Sequence, residues 1–194
     1  MEVGDFQLTG DVYTDGALSG GARKGTDRSG WAALMIDSEG KVVGGIYGTC
    51  PDWFPTSLRA ELWAVLQTLR HASPPVTLWV DNDCVVQGFR KGKEWCCDSS
   101  RPAADLWRSL WWKFEDLGGE GIDIKKVKGH ASEADVESGR CSRLAKDGND
   151  HADHFAKRGS ALAEALSNTG RSATIPSSQA LVQLARCFGG QLAY

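Results

Sequence analysis

Apolar and polar positions along the chain fall into blocks that change period. Phe6 to Ala17 is β-rich and closes on Asp15-Gly16, a turn signal. Trp31 to Asp37 and Lys41 to Thr49 are apolar runs joined by Ser38-Glu39-Gly40, which predicts a hairpin. Residues 19–29 and 50–55 read as loops. From Thr56 to Ala72, Leu58, Leu62, Val65, Leu66 and Leu69 recur at three and four residues, which predicts a helix with one buried stripe. Thr56 or Ser57 suits its N-cap, and Ser73-Pro74-Pro75 ends it. Val76 to Val80 is a short strand and Asp83 to Phe89 a short helix, followed by a polar connection over Lys91 to Arg101. Ala103 to Leu117 is a helix in which Trp107, Trp111 and Trp112 read as core, stopped by Gly118-Gly119. Ile122 to Val127 is a further strand, Ala131 to Gly148 a charged irregular loop, and Asn149 to Leu166 a helix. Residues 167–176 read as a linker and Ser177 to Leu192 as a weaker last helix.

The order β-β-β-α-β-α-α-β-α predicts an α/β fold. Its sheet is mixed and five-stranded, with β1-β2-β3 antiparallel and then β4 and β5, flanked by helices. A chain of 194 residues suffices for one well-packed domain. The expected division is a lead over 1–10, a domain over 11–166, and a linker with a helical tail over 167–194.

Charge adds little. The net charge of −3 is weak evidence against a nucleic-acid partner, although lysines and arginines cluster locally, as at Lys125, Lys126 and Lys128. No apolar run is long enough to span a membrane, and residues 1–10 resemble neither a secretory signal nor a transit peptide. The six cysteines, at 50, 84, 96, 97, 141 and 187, include no C-x-x-C pair. They read as reduced thiols of an intracellular protein, in cytoplasm or nucleus. Zinc sites built on Cys96 and Cys97, or on His151 and His154, lack ligands at suitable spacing.

Four acidic residues fall where this architecture can gather them. Asp15 lies near the end of the first strand and Asp81 ends the fourth, where α/β sheets bind ligands. Glu61 lies beside the buried stripe of the first long helix. Asp153 is expected in the first turns of a late helix, where the dipole favours negative charge. Converging carboxylates repel and need a cation, and oxygen ligands select Mg²⁺ or Mn²⁺ over zinc. Two such ions about 4 Å apart suit an in-line phosphoryl displacement.

Six segments, taken in order, resemble type 1 ribonuclease H over residues 11 to about 159. They are Tyr13-Thr14-Asp15-Gly16-Ala17, Ser29-Gly30-Trp31-Ala32-Ala33-Leu34, Arg59-Ala60-Glu61-Leu62, Val80-Asp81-Asn82, Val127-Lys128-Gly129-His130-Ala131, and Gly148-Asn149-Asp150-His151-Ala152-Asp153. The resemblance implies an endonuclease that cuts the RNA strand of an RNA–DNA hybrid. It makes Asp15, Glu61, Asp81 and Asp153 the ligands of two Mg²⁺ ions, with Mn²⁺ able to substitute. It makes His130 a mobile-loop residue assisting proton transfer or product release, and Asp150 a lesser, water-mediated metal contact. Gly16, Thr56, Ser57 and Asn82 would touch substrate, and the protein would act as a monomer.

The chain departs from the family at Ser57 and Leu58, where many members carry an Asn-Gln or Asn-Asn pair that reads RNA 2′-hydroxyls. Its basic protrusion is short, limited to Arg90-Lys91-Gly92-Lys93-Glu94-Trp95, in which Trp95 could stack on DNA or pack internally. Two alternatives stand beside the hydrolase. One is a non-catalytic domain of the same fold that binds nucleic acid or protein. The other is a related exonuclease or resolvase, against which stands Asp15-Gly16-Ala17 in place of D-x-E. Similar domains occur free and attached to the reverse transcriptases of mobile elements.

Overall fold

The strand β2 (Arg28–Ile36) dictates the layering. Its Trp31, Ala33 and Met35 enter one core, while Ala32 and Leu34 enter another. A strand buried on both faces reads as an uninterrupted apolar run and requires helices on both sides of its sheet. The computed structural model describes residues 6–20, 28–51, 55–168 and 181–184. Within them β2 pairs antiparallel with β1 (Leu8–Ser19) and with β3 (Val42–Thr49). Strand β4 (Ala72–Val80) runs parallel to β1, and β5 (Ile122–Lys126) runs parallel to β4. These five strands are the mixed sheet that the sequence predicts. A sixth, β6 (Leu181–Leu184), pairs antiparallel with β3 and gives the order β5-β4-β1-β2-β3-β6.

Helix α1 (Ser57–His71) covers one face. The side chain of its N-cap, Thr56, accepts a hydrogen bond from the Arg59 amide at 3.2 Å. Of the predicted stripe, Leu62, Val65 and Leu69 are buried there with Val12, Leu78 and Val80 of the sheet, and Leu66 is buried as well. Helices α2 (Asp83–Lys91), α3 (Lys93–Cys97) and α4 (Ala104–Asp116) follow β4. α4 lies against α1, tied to it by a two-pronged pairing of Arg59 with Asp105 at 2.9 and 2.8 Å. The opposite face is covered by α6 (Arg143–Asn168), whose Phe155 and Ala156 pack on Ala32, Leu34 and Tyr47. Among the described residues no helix is long and apolar enough to cross a membrane.

Several local expectations need correction. The connection over Lys91 to Arg101 contains α3, because Cys96 and half-buried Trp95 pack on the core. The irregular loop is shorter than expected: α5 (Glu133–Glu137) forms inside it, and α6 begins at Arg143 rather than Asn149. Residues 181–184 are a strand, not part of a helix, since they complete the hydrogen bonding of the β3 edge. The rest of the expected linker and tail beyond 168 lies outside the described residues, as do residues 1–5 of the lead. Trp107 is core, but Trp112 is 66% exposed, one position off the buried stripe. Cys50, Cys84, Cys96, Cys97 and Cys141 are free thiols, and Cys187 lies outside the described residues.

Candidate active site

Strands β1 and β4 run side by side as far as the pair Thr14↔Val80. One residue further, each presents an acid, Asp15 and Asp81, where β4 turns into α2. Glu61 arrives from α1, which crosses β1 at Gly16. A Cβ at Gly16 would lie 2.3 Å from the Ala60 carbonyl carbon and from the Glu61 nitrogen. The missing side chain therefore lets the helix backbone touch the strand and sets Glu61 next to Asp15. One oxygen from each of Asp15, Glu61 and Asp81 lies within 4.8 Å of the others.

Burial makes this cluster electrostatically costly. Asp15 and Glu61 are only 6% and 5% exposed. Desolvation first, and then the charges of Asp81 and Asp153, push the Asp15 carboxyl up to about 7. Desolvation and the charges of Asp15 and Asp81 likewise hold Glu61 well above the usual carboxylate range. A backbone hydrogen bond from Gly16 opposes both shifts, and the Asn82 side chain opposes that of Glu61. Glu61 Oε2 is buried without a protein partner. An orphaned carboxylate oxygen facing two further carboxylates is the donor set of a hard divalent cation, with no nitrogen or sulfur to favour zinc. The residues present fit such an ion.

Asp153 stands outside this three-carboxylate group. It lies near the middle of α6, not in its first turns, because the helix starts at Arg143. The helix-dipole argument therefore fails for it. Its charge is met instead by Lys157 Nζ at 2.6 Å, one helical turn on. Both residues still act on Asp15, Asp153 raising its pKa and Lys157 lowering it. Asp150 pairs with Lys146 at 2.5 Å.

The remaining predicted residues divide. His130 is exposed, with a left-handed φ of 48°. Its neighbour Gly129 passes so close to Asp81 that a Cβ there would meet Asp81 Oδ2 at 2.6 Å. Asn82 caps α2, its Oδ1 accepting from the Cys84 and Val85 amides at 3.0 and 3.4 Å, while its side chain lies near enough to Glu61 to oppose the rise of that carboxyl's pKa. Its hydrogen bonds go to the α2 cap, and its influence on Glu61 is electrostatic. Thr56 spends its hydroxyl on capping α1, and exposed Ser57 begins that helix. Half-buried Leu58 packs on the core. Trp95 sits between Lys91 and Arg101, each 4.1 Å from its ring centre. Among the described residues no cysteine or histidine joins a metal-ligating group.

Three supporting residues are not among the sequence-predicted site residues, and two of them had a signal in the sequence. Lys157 was detectable as a base four positions after Asp153 on a helix. Lys126 donates to the Asp81 carbonyl and lies 3.3 Å from Asp83, which no spacing rule announces. Asp135 was detectable through Ser132-Glu133-Ala134-Asp135, a variant of the capping box.

Residues 9–161 match the family model described as RNase H. The chain is 31% identical over 166 residues to the ribonuclease H of Albidiferax ferrireducens, a match covering 79% of this chain and 95% of that protein. It is 35% identical over 155 residues to the ribonuclease H of Paracidovorax citrulli, covering 73% and 94%. Among solved structures, the RNase H domain of PFV superposes with a TM-score of 0.59 at 20% identity, over 80% of this chain and 96% of that one. At that identity the likeness speaks for the fold alone.

Proposed function

The chain belongs to the RNase H family, and from that premise we propose how it cuts the RNA strand of an RNA–DNA hybrid. Asp15, Glu61, Asp81 and Asp153 hold two Mg²⁺ ions, for which Mn²⁺ can substitute. The observation that carries this reading is the convergence of Asp15, Glu61 and Asp81 within 4.8 Å, with Glu61 Oε2 buried and unpartnered. Bound there, divalent cations would neutralise the carboxylates and stabilise charge on the phosphate oxygens during in-line displacement.

The protein's own groups do the rest. Gly16 brings α1 against β1, and the Asn82 side chain favours the ionised form of Glu61. Lys157 balances Asp153 and draws down the proton affinity of Asp15. His130, beside Asp81 on an exposed turn, is placed to move a proton or speed product release, assistance of the general acid–base kind. The hybrid runs over the exposed start of α1, where Ser57 offers its hydroxyl and Thr56 its surface position, while Gly16, buried beneath the helix, acts through that backbone contact and not by touching the hybrid. The catalytic unit spans residues 11–166 and works as an intracellular monomer.

Cleavage of a labelled hybrid with and without Mg²⁺ tests the metal requirement. Cutting should vanish in excess chelator and return with Mg²⁺ or Mn²⁺. Full cutting in excess chelator would overturn the metal mechanism.

A further inference from the structure

The turn carrying His130 is held from both sides by one buried carboxylate. Lys128, two residues before His130, places Nζ 2.6 Å from Asp135 Oδ1. Ser132, two residues after it, donates its backbone N–H at 2.9 Å and its hydroxyl at 2.8 Å to Asp135 Oδ2. Arg140 adds a second cationic contact at 3.1 Å. Asp135 is only 5% exposed, and its own position is fixed twice. It completes the capping box at the start of α5, and its backbone carbonyl accepts from the Arg140 and Cys141 amides. Between the two tethered flanks, His130 has a backbone conformation that residues other than glycine seldom adopt. Such a conformation persists only where surrounding contacts enforce it.

We infer that Asp135 is a positioning residue, which clamps Lys128 to Ser132 and thereby fixes His130 beside Asp81. The inference rests on the reading that His130 takes part in turnover. A clamp of this kind matters where displacements are costly: a shift of about 1 Å in a reacting group can slow a reaction by about 10²-fold. Asp135 is exchangeable in principle for any group that bridges the flanks. A neutral side chain at 135 loses the pairing to Lys128 and Arg140, and alanine loses all of it.

A double-mutant cycle tests the clamp. Asp135→Ala should lower kcat by about the factor that His130→Ala does, up to about 10²-fold, and leave KM for the hybrid unchanged. In the His130→Ala background Asp135→Ala should cost nothing further. Hydrogen exchange at residues 129–132 should rise in Asp135→Ala and remain at the wild-type level in His130→Ala. Lys128→Met, which cuts one flank and leaves the α5 cap intact, should repeat the pattern with a smaller loss, and it decides the matter if Asp135→Ala fails to fold. A loss that adds to that of His130→Ala, or a kcat unchanged in Lys128→Met, would overturn the clamp while leaving His130 in the reaction. A His130→Ala enzyme with wild-type turnover would remove His130 from the reaction and the clamp's purpose with it.

Discussion

The backbone nitrogen of Glu61 lies where a side chain on Gly16 would have to go, 2.3 Å from an ideal Cβ. The strand and the helix thus meet backbone to backbone, and two of the site's acids depend on that contact. Gly16→Ala should force α1 off β1. Overpacking of this kind costs about 1–3 kcal/mol, and the displacement of Glu61 should slow single-turnover cleavage by about 10²-fold or more. Melting temperature and single-turnover rate, measured together, check this. A variant with both at wild-type values would show that the contact is not needed.

The acids destabilise the fold when metal is absent, and the sign can be tested. The Asp15 carboxyl, raised by burial and then by Asp81 and Asp153, titrates at about 7 in the folded chain and near 3.8 when exposed. Between those values the folded state binds the extra proton, so ionising Asp15 costs stability as pH rises through that window. Asp15→Asn removes this cost. Its metal-free melting temperature should therefore approach that of the wild type near pH 4, exceed it increasingly towards pH 7, and hold a constant lead above that. Turnover should be abolished. A lead that shrinks with rising pH would contradict the burial account, and near-normal turnover would remove Asp15 from the site.

The layered sheet was legible because β2 is apolar at every position from Trp31 to Ile36, which only burial on both faces explains. Helix α1 was legible from its leucine spacing and Thr56. What stayed hidden was polar or dependent on distant contacts. α5 and the first turns of α6 are rich in charge and lack a continuous apolar stripe, so periodicity missed them. β6 has leucines three apart, as a helix would, and becomes a strand through pairing with the β3 edge. At the site, Asp15, Glu61 and Asp81 could be read from their elements. The pairing of Asp153 with Lys157 could not be foreseen from the carboxylate pattern alone, and the late start assumed for α6 misplaced Asp153 in that helix.

The start of α1 offers a test of substrate affinity. Ser57 is exposed at the first position of the helix, whereas Leu58 packs on the core. Ser57→Asn should lower KM for the hybrid with little change in stability, by adding an amide able to reach a 2′-hydroxyl. Leu58→Gln should gain less, because burying an unpartnered amide costs on the order of 1–3 kcal/mol. Binding by the wild type should be salt-sensitive, as phosphate contacts are. An unchanged or raised KM in Ser57→Asn would place the hybrid elsewhere.

Strand-specific cleavage tests the central claim most directly. A duplex of one RNA and one DNA strand, each carrying its own label, is incubated with the protein and Mg²⁺ beside single-stranded RNA and a DNA–DNA duplex of the same sequence. The account predicts fragments from the RNA strand of the hybrid alone, and none with Asp81→Asn. Equal cutting of the DNA duplex and the hybrid, or RNA cleavage that persists in Asp81→Asn, would contradict it.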